Sequence, residues 1–116
     1  MAKFVVIYRV PNEVMAKWKS ETSPEEMATQ SKQLGAEMGA WIEKNKAAIV
    51  DSGNPLGKNT RMTMSGATPT PNDLNFYQVV EAENVDAVVA MFQDNPHVKT
   101  IPESFVDIME VPHMTM

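Results

Sequence analysis

Two histidines, His97 and His113, and no cysteine are present in 116 residues. His97 stands in the run Asn95-Pro96-His97-Val98, with Asp94 just before that run and Asp51 in a separate loop. An imidazole is the side chain whose ordinary pKa lies nearest neutrality, and a neighbouring carboxylate fixes its tautomer and stabilises its cation. His97 as general acid or base, oriented by Asp94 or Asp51, is therefore the catalytic candidate of the chain. The competing reading is that His97 only closes a turn by bonding a carbonyl.

A second group of residues points to binding. Tyr8, Trp18, Trp41 and Tyr77 are expected to line an apolar cavity between a sheet and a long helix, the usual place for a small ligand in such a shape. Each of them, taken singly, is more often a plain core residue. Arg9 ends a strand that reads as central, where a charge is costly unless paired. It is expected to pair with Asp107 or Glu110, and the alternative is that it holds an anionic ligand.

Other chemistries find little support. Without cysteine there are no disulfides, thiolate nucleophiles or cysteine-ligated clusters. The loop Gly53-Asn-Pro-Leu-Gly-Lys58 lacks the spacing of a phosphate-binding Walker loop, and neither His-x-x-x-His nor Gly-x-Ser-x-Gly occurs. Ten methionines include the pairs Met62, Met64 and Met114, Met116. They read as polarizable core filling rather than a soft-metal site. A metal held by His97 and His113 would need further carboxylates to converge on both, so neither metal nor cofactor is expected.

The net charge is −5, with 10 Lys plus Arg against 15 Asp plus Glu and a pI near 4.9. No basic run occurs, which argues against nucleic acid and anionic membrane surfaces as partners. The apolar run at residues 4–8 is too short for a signal-peptide core or a membrane span. A cytoplasmic protein of one domain, residues 1–116, is the expectation.

The elements that must position these residues follow from periodicity. Residues 3–10 are β-branched and aromatic on both pleat faces, with Phe4, Val6 and Tyr8 alternating with Val5 and Ile7, as in a central strand covered on two sides. Residues 11–22 place Val14, Met15 and Trp18 at near-helical spacing and predict a short helical turn or lid. Ser23-Pro24-Glu25-Glu26 is a strong helix start. Met27, Leu34, Met38, Trp41, Ile42 and Ile49 continue it as one apolar stripe. Residues 50–57 predict a loop, 61–65 a short strand, 66–73 an exposed and mobile hairpin loop, and 75–81 another strand. Asn84 caps a helix bearing Val85, Val88, Val89 and Phe92, which Asn95-Pro96 stops. A last strand spans 104–111, ended by Pro112, and residues 113–116 are expected to be loosely held.

Strand, helix, strand, strand, helix, strand is the α+β, ferredoxin-like βαββαβ arrangement with a four-stranded antiparallel sheet. Two helices cover one sheet face only. The apolar second face predicts a homodimer packed sheet to sheet, a dimeric α+β barrel.

Several segments together resemble one family. Lys3-Phe-Val-Val-Ile-Tyr-Arg9, Asp51-Ser-Gly-Asn-Pro-Leu-Gly57, Tyr77-Gln-Val-Val-Glu-Ala82 and Asn95-Pro-His-Val98 before Phe105-Val-Asp-Ile-Met-Glu-Val111 look like the YCII-related proteins, in particular their DGPF subgroup. The resemblance runs over most of the chain and implies a dimeric α+β barrel. In the YCII-like branch it also implies an acid–base dyad of a first-helix His and an Asp just before the late proline. Here residues 35–37 contain no His, and Asn95, which cannot ionise, precedes Pro96. The dyad does not carry over, which weighs toward the turn role for His97. The expected function is a small-molecule cavity between sheet and long helix. The rival is a non-catalytic interaction or sensing module whose core is filled by Trp41, Tyr77 and Met side chains.

Overall fold

The computed structural model describes residues 1–113, so the expectation for 114–116 lies outside the described residues. Strand β1 (Ala2–Arg9) is the inner strand of a four-stranded sheet, with β5 (Leu74–Ala82) and β6 (Phe105–Val111) antiparallel on either side of it. The fourth strand, β2 (Ile49–Asp51), pairs with β5 and gives the order β2-β5-β1-β6. With helices α2 (Pro24–Lys44) and α3 (Val85–Phe92) connecting the strands, this is the ferredoxin-like α+β arrangement.

Local chemistry explains where the helices begin. Ser23 Oγ accepts from the Glu26 amide at 3.1 Å, and Pro24 occupies the first turn, where a missing N–H costs nothing. Asn84 Oδ1 caps α3 through the Ala87 amide at 3.0 Å. The core lies between the sheet and α2 and α3, where Phe4, Val6, Tyr8, Val80, Trp41, Val88 and Phe92 are buried. Trp41 packs against Phe92 with ring centroids 4.8 Å apart and donates its indole N–H to the Met91 carbonyl.

Four expectations are corrected. Helix α2 ends at Lys44, because Asn45 caps it and its side-chain amide donates to the Trp41 carbonyl, so Ile49 lies on β2 and not on the helix stripe. The stretch from residue 50, expected to be a loop, thus begins as the edge strand of the sheet. It stays close to β5: Leu56 donates to the Asn75 carbonyl at 2.9 Å. Gly53 (φ 79°) runs so near Tyr77 that a Cβ there would collide with the Tyr77 carbonyl oxygen. Residues 61–65 do hold a strand, β3 (Thr60–Thr63), but outside the main sheet. Among the described residues it pairs only with β4 (Gly66–Pro69), inside the segment expected to be an exposed hairpin loop, and every residue of both strands is indeed exposed.

The last two corrections concern the segments nearest the candidate site. Residues 12–21 form a full ten-residue helix, α1 (Asn12–Glu21), which has no buried residue. Asn95-Pro96 does not simply end α3: Asn95 caps a further short helix, α4 (Pro96–Thr100), and His97 lies in its first turn rather than in a Pro-His turn. Among the described residues, no helix is long and apolar enough to cross a membrane.

Candidate functional site

Strand parity divides the candidate residues. Successive side chains of a strand point to opposite sheet faces, so Tyr8 faces the helices and Arg9 the other way, as do Phe76 and Tyr77 respectively on β5. On the helix side lies a cavity of about 760 Å³. Tyr8, Val10 and Phe76 form its floor, Leu34 and Met38 one wall, and His97 with Ile101 another. Helix α1 roofs it with Val14, Met15 and Trp18. Among the described residues, one side-chain hydrogen bond pins the roof to the rest of the fold, from Trp18 Nε1 to Gln30 Oε1 at 2.7 Å.

Beneath the floor runs a buried polar chain. The Tyr8 hydroxyl donates to Gln78 Oε1 and accepts from Asn95 Nδ2 at 2.9 Å. Asn95 Oδ1 in turn accepts from the His97 amide at 3.0 Å and the Val98 amide at 3.3 Å, capping α4. One asparagine therefore fixes both the Tyr8 hydroxyl and the start of the helix that carries His97. Burial raises the Tyr8 phenol well above its ordinary pKa, and the hydrogen bond from Asn95 only partly offsets this.

His97 is 9% exposed and its ring meets Tyr8 edge-on, with centroids 4.9 Å apart. Its Nδ1 is enclosed without a hydrogen-bond partner. Burial pushes its pKa down to about 4, so the ring is neutral at physiological pH. It has no ring hydrogen bond to either proposed carboxylate. Asp94 accepts from Lys44 Nζ at 2.7 Å, an exposed pair that holds its carboxyl below the usual range. Asp51 accepts from the Gly53 amide at 2.9 Å and from the Tyr77 hydroxyl at 3.4 Å.

Of the five residues expected to contact a ligand, the structure brings Tyr8 and Trp18 to the cavity, together with His97. Trp41 lies in the core beside Phe92, and Tyr77 lies on the opposite sheet face beside Asp51. Neither fills the cavity. Arg9 makes the pair with Asp107 (2.8 Å) that its position suggested, and also bonds Asp73 at 2.7 Å and covers the Phe105 ring at 5.3 Å. These carboxylates keep its guanidinium charged. Among the described residues, no three His, Asp or Glu side chains converge as metal ligands would.

Sequence reasoning missed Gln78, Asn95 and Asn75, which are the polar framework of the site. Gln78 carried a usable signal, being a polar residue at an inward position of a strand otherwise apolar there, between Phe76 and Val80. Asn75 sits at the cavity edge, where its Oδ1 accepts from the Val10 amide at 2.7 Å.

No protein-family model matches the chain, and no curated protein matches it. Among solved structures it is similar to the 5-chloro-2-hydroxyhydroquinone dehydrochlorinase of Burkholderia phenoliruptrix AC1100 in complex with 2,5-dihydroxybenzoquinone. The identity is 19% over 92% of this chain and 91% of that one, with a TM-score of 0.48. At that distance no residue role passes from one protein to the other.

Proposed function

We propose that this chain binds a small, predominantly apolar molecule in the cavity under α1, with His97 as the polar group that orients it. The observation that carries this reading is the join of a hollow of about 760 Å³, within the size range of ligand sites, to a buried imidazole with no partner of its own. His97 positions the ligand rather than moving protons. An effective general base or acid has a pKa near the working pH, and one held near 4 is protonated in only about one molecule in a thousand at pH 7.

A thermal-shift screen of uncharged metabolites tests the reading. A ligand at about a hundred times its Kd adds about 2.7 kcal/mol of stability. The shift should vanish in Leu34→Trp, which fills the cavity from α2. A hit that survives this substitution, or a broad screen without any hit, would overturn the proposal.

We infer further that the chain is a homodimer joined through the sheet face away from the helices. That face carries Val5, Ile7 and Val79, flanked by Phe105, Met109 and Val111, which are 39%, 45% and 47% exposed. Apolar side chains gathered on one face mark association surfaces. The resemblance to YCII-related proteins supports the same assembly. Sedimentation at micromolar concentration should give a dimer, and Met109→Glu should shift it toward monomer; a stable wild-type monomer would remove the paired-sheet arrangement.

A further inference from the structure

The polar side chains on the cavity wall include acceptors, the Glu37 carboxylate and the Gln33 amide oxygen among them, both on exposed residues of α2, and two amides whose oxygens are already taken. Gln30 Oε1 is taken by the Trp18 indole and Asn75 Oδ1 by the Val10 amide, which leaves the NH2 ends of both amides without a hydrogen bond. The Tyr8 hydroxyl is occupied on both sides, donating to Gln78 and accepting from Asn95, so Tyr8 presents only an aromatic surface.

His97 adds a third donor. Its Nδ1 is enclosed with no partner, and a proton there would be a buried donor left unsatisfied. An enclosed N–H is left orphaned more rarely than an enclosed acceptor, so the proton of the neutral ring is assigned to Nε2, the nitrogen that is not enclosed, in a residue that lines the cavity.

Charge completes the picture. Among the described residues, Glu37, an exposed residue of α2, is the one acidic side chain on the cavity wall, and no Lys or Arg lines it. An anion entering this space would give up water for apolar walls without meeting a cation, and would do so beside a carboxylate.

We infer that the cavity selects an uncharged ligand whose carbonyl or ether oxygen is seated against His97 Nε2–H, and that it turns away carboxylates and phosphates. This rests on the cavity being a binding site, as proposed above, and names the chemical class that the site accepts.

Three probes of matched shape separate the two claims: benzophenone, the hydrocarbon diphenylmethane, and diphenylacetate, titrated calorimetrically into the full chain at pH 7. Benzophenone is expected to bind at least about tenfold more tightly than either of the others, the scale of one well-made hydrogen bond. In His97→Phe that advantage over diphenylmethane should disappear. Glu37 lies on the exposed side of α2, so Glu37→Gln provides a variant in which the core is untouched. There the affinity for diphenylacetate should rise severalfold relative to that for benzophenone.

Equal binding of diphenylmethane and benzophenone, or tighter binding of diphenylacetate, would overturn the assigned ligand class and leave the cavity as a binding site. Failure of all three, the bare hydrocarbon included, would overturn both claims.

Discussion

Acidification through the range from about pH 6.5 to about pH 4 is expected to destabilise the protein by as much as about 3 kcal/mol through His97 alone. The sign follows from linkage. The folded state holds His97 neutral down to about pH 4, whereas an unfolded chain begins to protonate it near its ordinary value of 6.5. In that window the unfolded state binds more protons, so stability falls as the pH falls. The contribution is fully present above the unfolded pKa and is lost by the folded one. Water entering the cavity would lessen the shift, which makes the figure a ceiling.

Urea denaturation of wild type and His97→Gln at pH 7 and at pH 4.5 checks this. The variant should lose markedly less stability between the two conditions. Carboxylates such as Asp94 titrate in both proteins and cancel in the comparison. Parallel losses would show that the imidazole is not buried in its neutral form.

The other large effect is expected at Tyr8. Tyr8→Phe removes a single oxygen but strands two buried groups, Gln78 Oε1 and Asn95 Nδ2, in a region where Gln78 Nε2 already lacks a partner. Each stranded group costs about 1–3 kcal/mol, so a loss of about 2–4 kcal/mol is expected despite the conservative change. Tyr8→Phe combined with Gln78→Leu should be less harmful than the sum of the single changes, because the pair then leaves only Asn95 unsatisfied. The four unfolding free energies form a double-mutant cycle, and simple additivity would mean that the two side chains do not act on one another.

Elements with strong periodic or capping signals were legible in the sequence. The central strand, the start of α2, the Asn84 cap and the last strand all stand where their residues place them, and so does the Arg9 pairing with Asp107. Short edge pairing was not legible. Three residues at 49–51 are too few to show alternation, and what makes them a strand is the open edge of β5, where Ile49 pairs with Val80 and Asp51 with Val79. The β3–β4 hairpin was hidden for a different reason, since its return strand, Gly66-Ala-Thr-Pro69, opens a Pro- and Thr-rich segment with the composition of a loop.

The candidate site was half legible for a reason of the same kind. Tyr8, Trp18 and His97 meet at one cavity, yet Asp51, Asp94, Trp41 and Tyr77 have the right chemistry in the wrong places. Residue type suggests what a side chain is able to do. Which neighbours it meets depends on strand pairing across long separations, as when Asn95 reaches Tyr8 from 87 positions away.

The alternation along β1 has a practical consequence for anyone wishing to alter this protein. Phe4, Val6 and Tyr8 are written for one side of the sheet, and Val5, Ile7 and Arg9 for the other, so one short stretch of sequence carries two interleaved texts. Either can be edited by substitution while the other is left intact. A single inserted or deleted residue would exchange them, putting a guanidinium where the phenol now stands. Evolution and the engineer are thus free to respell this strand and bound to keep its length.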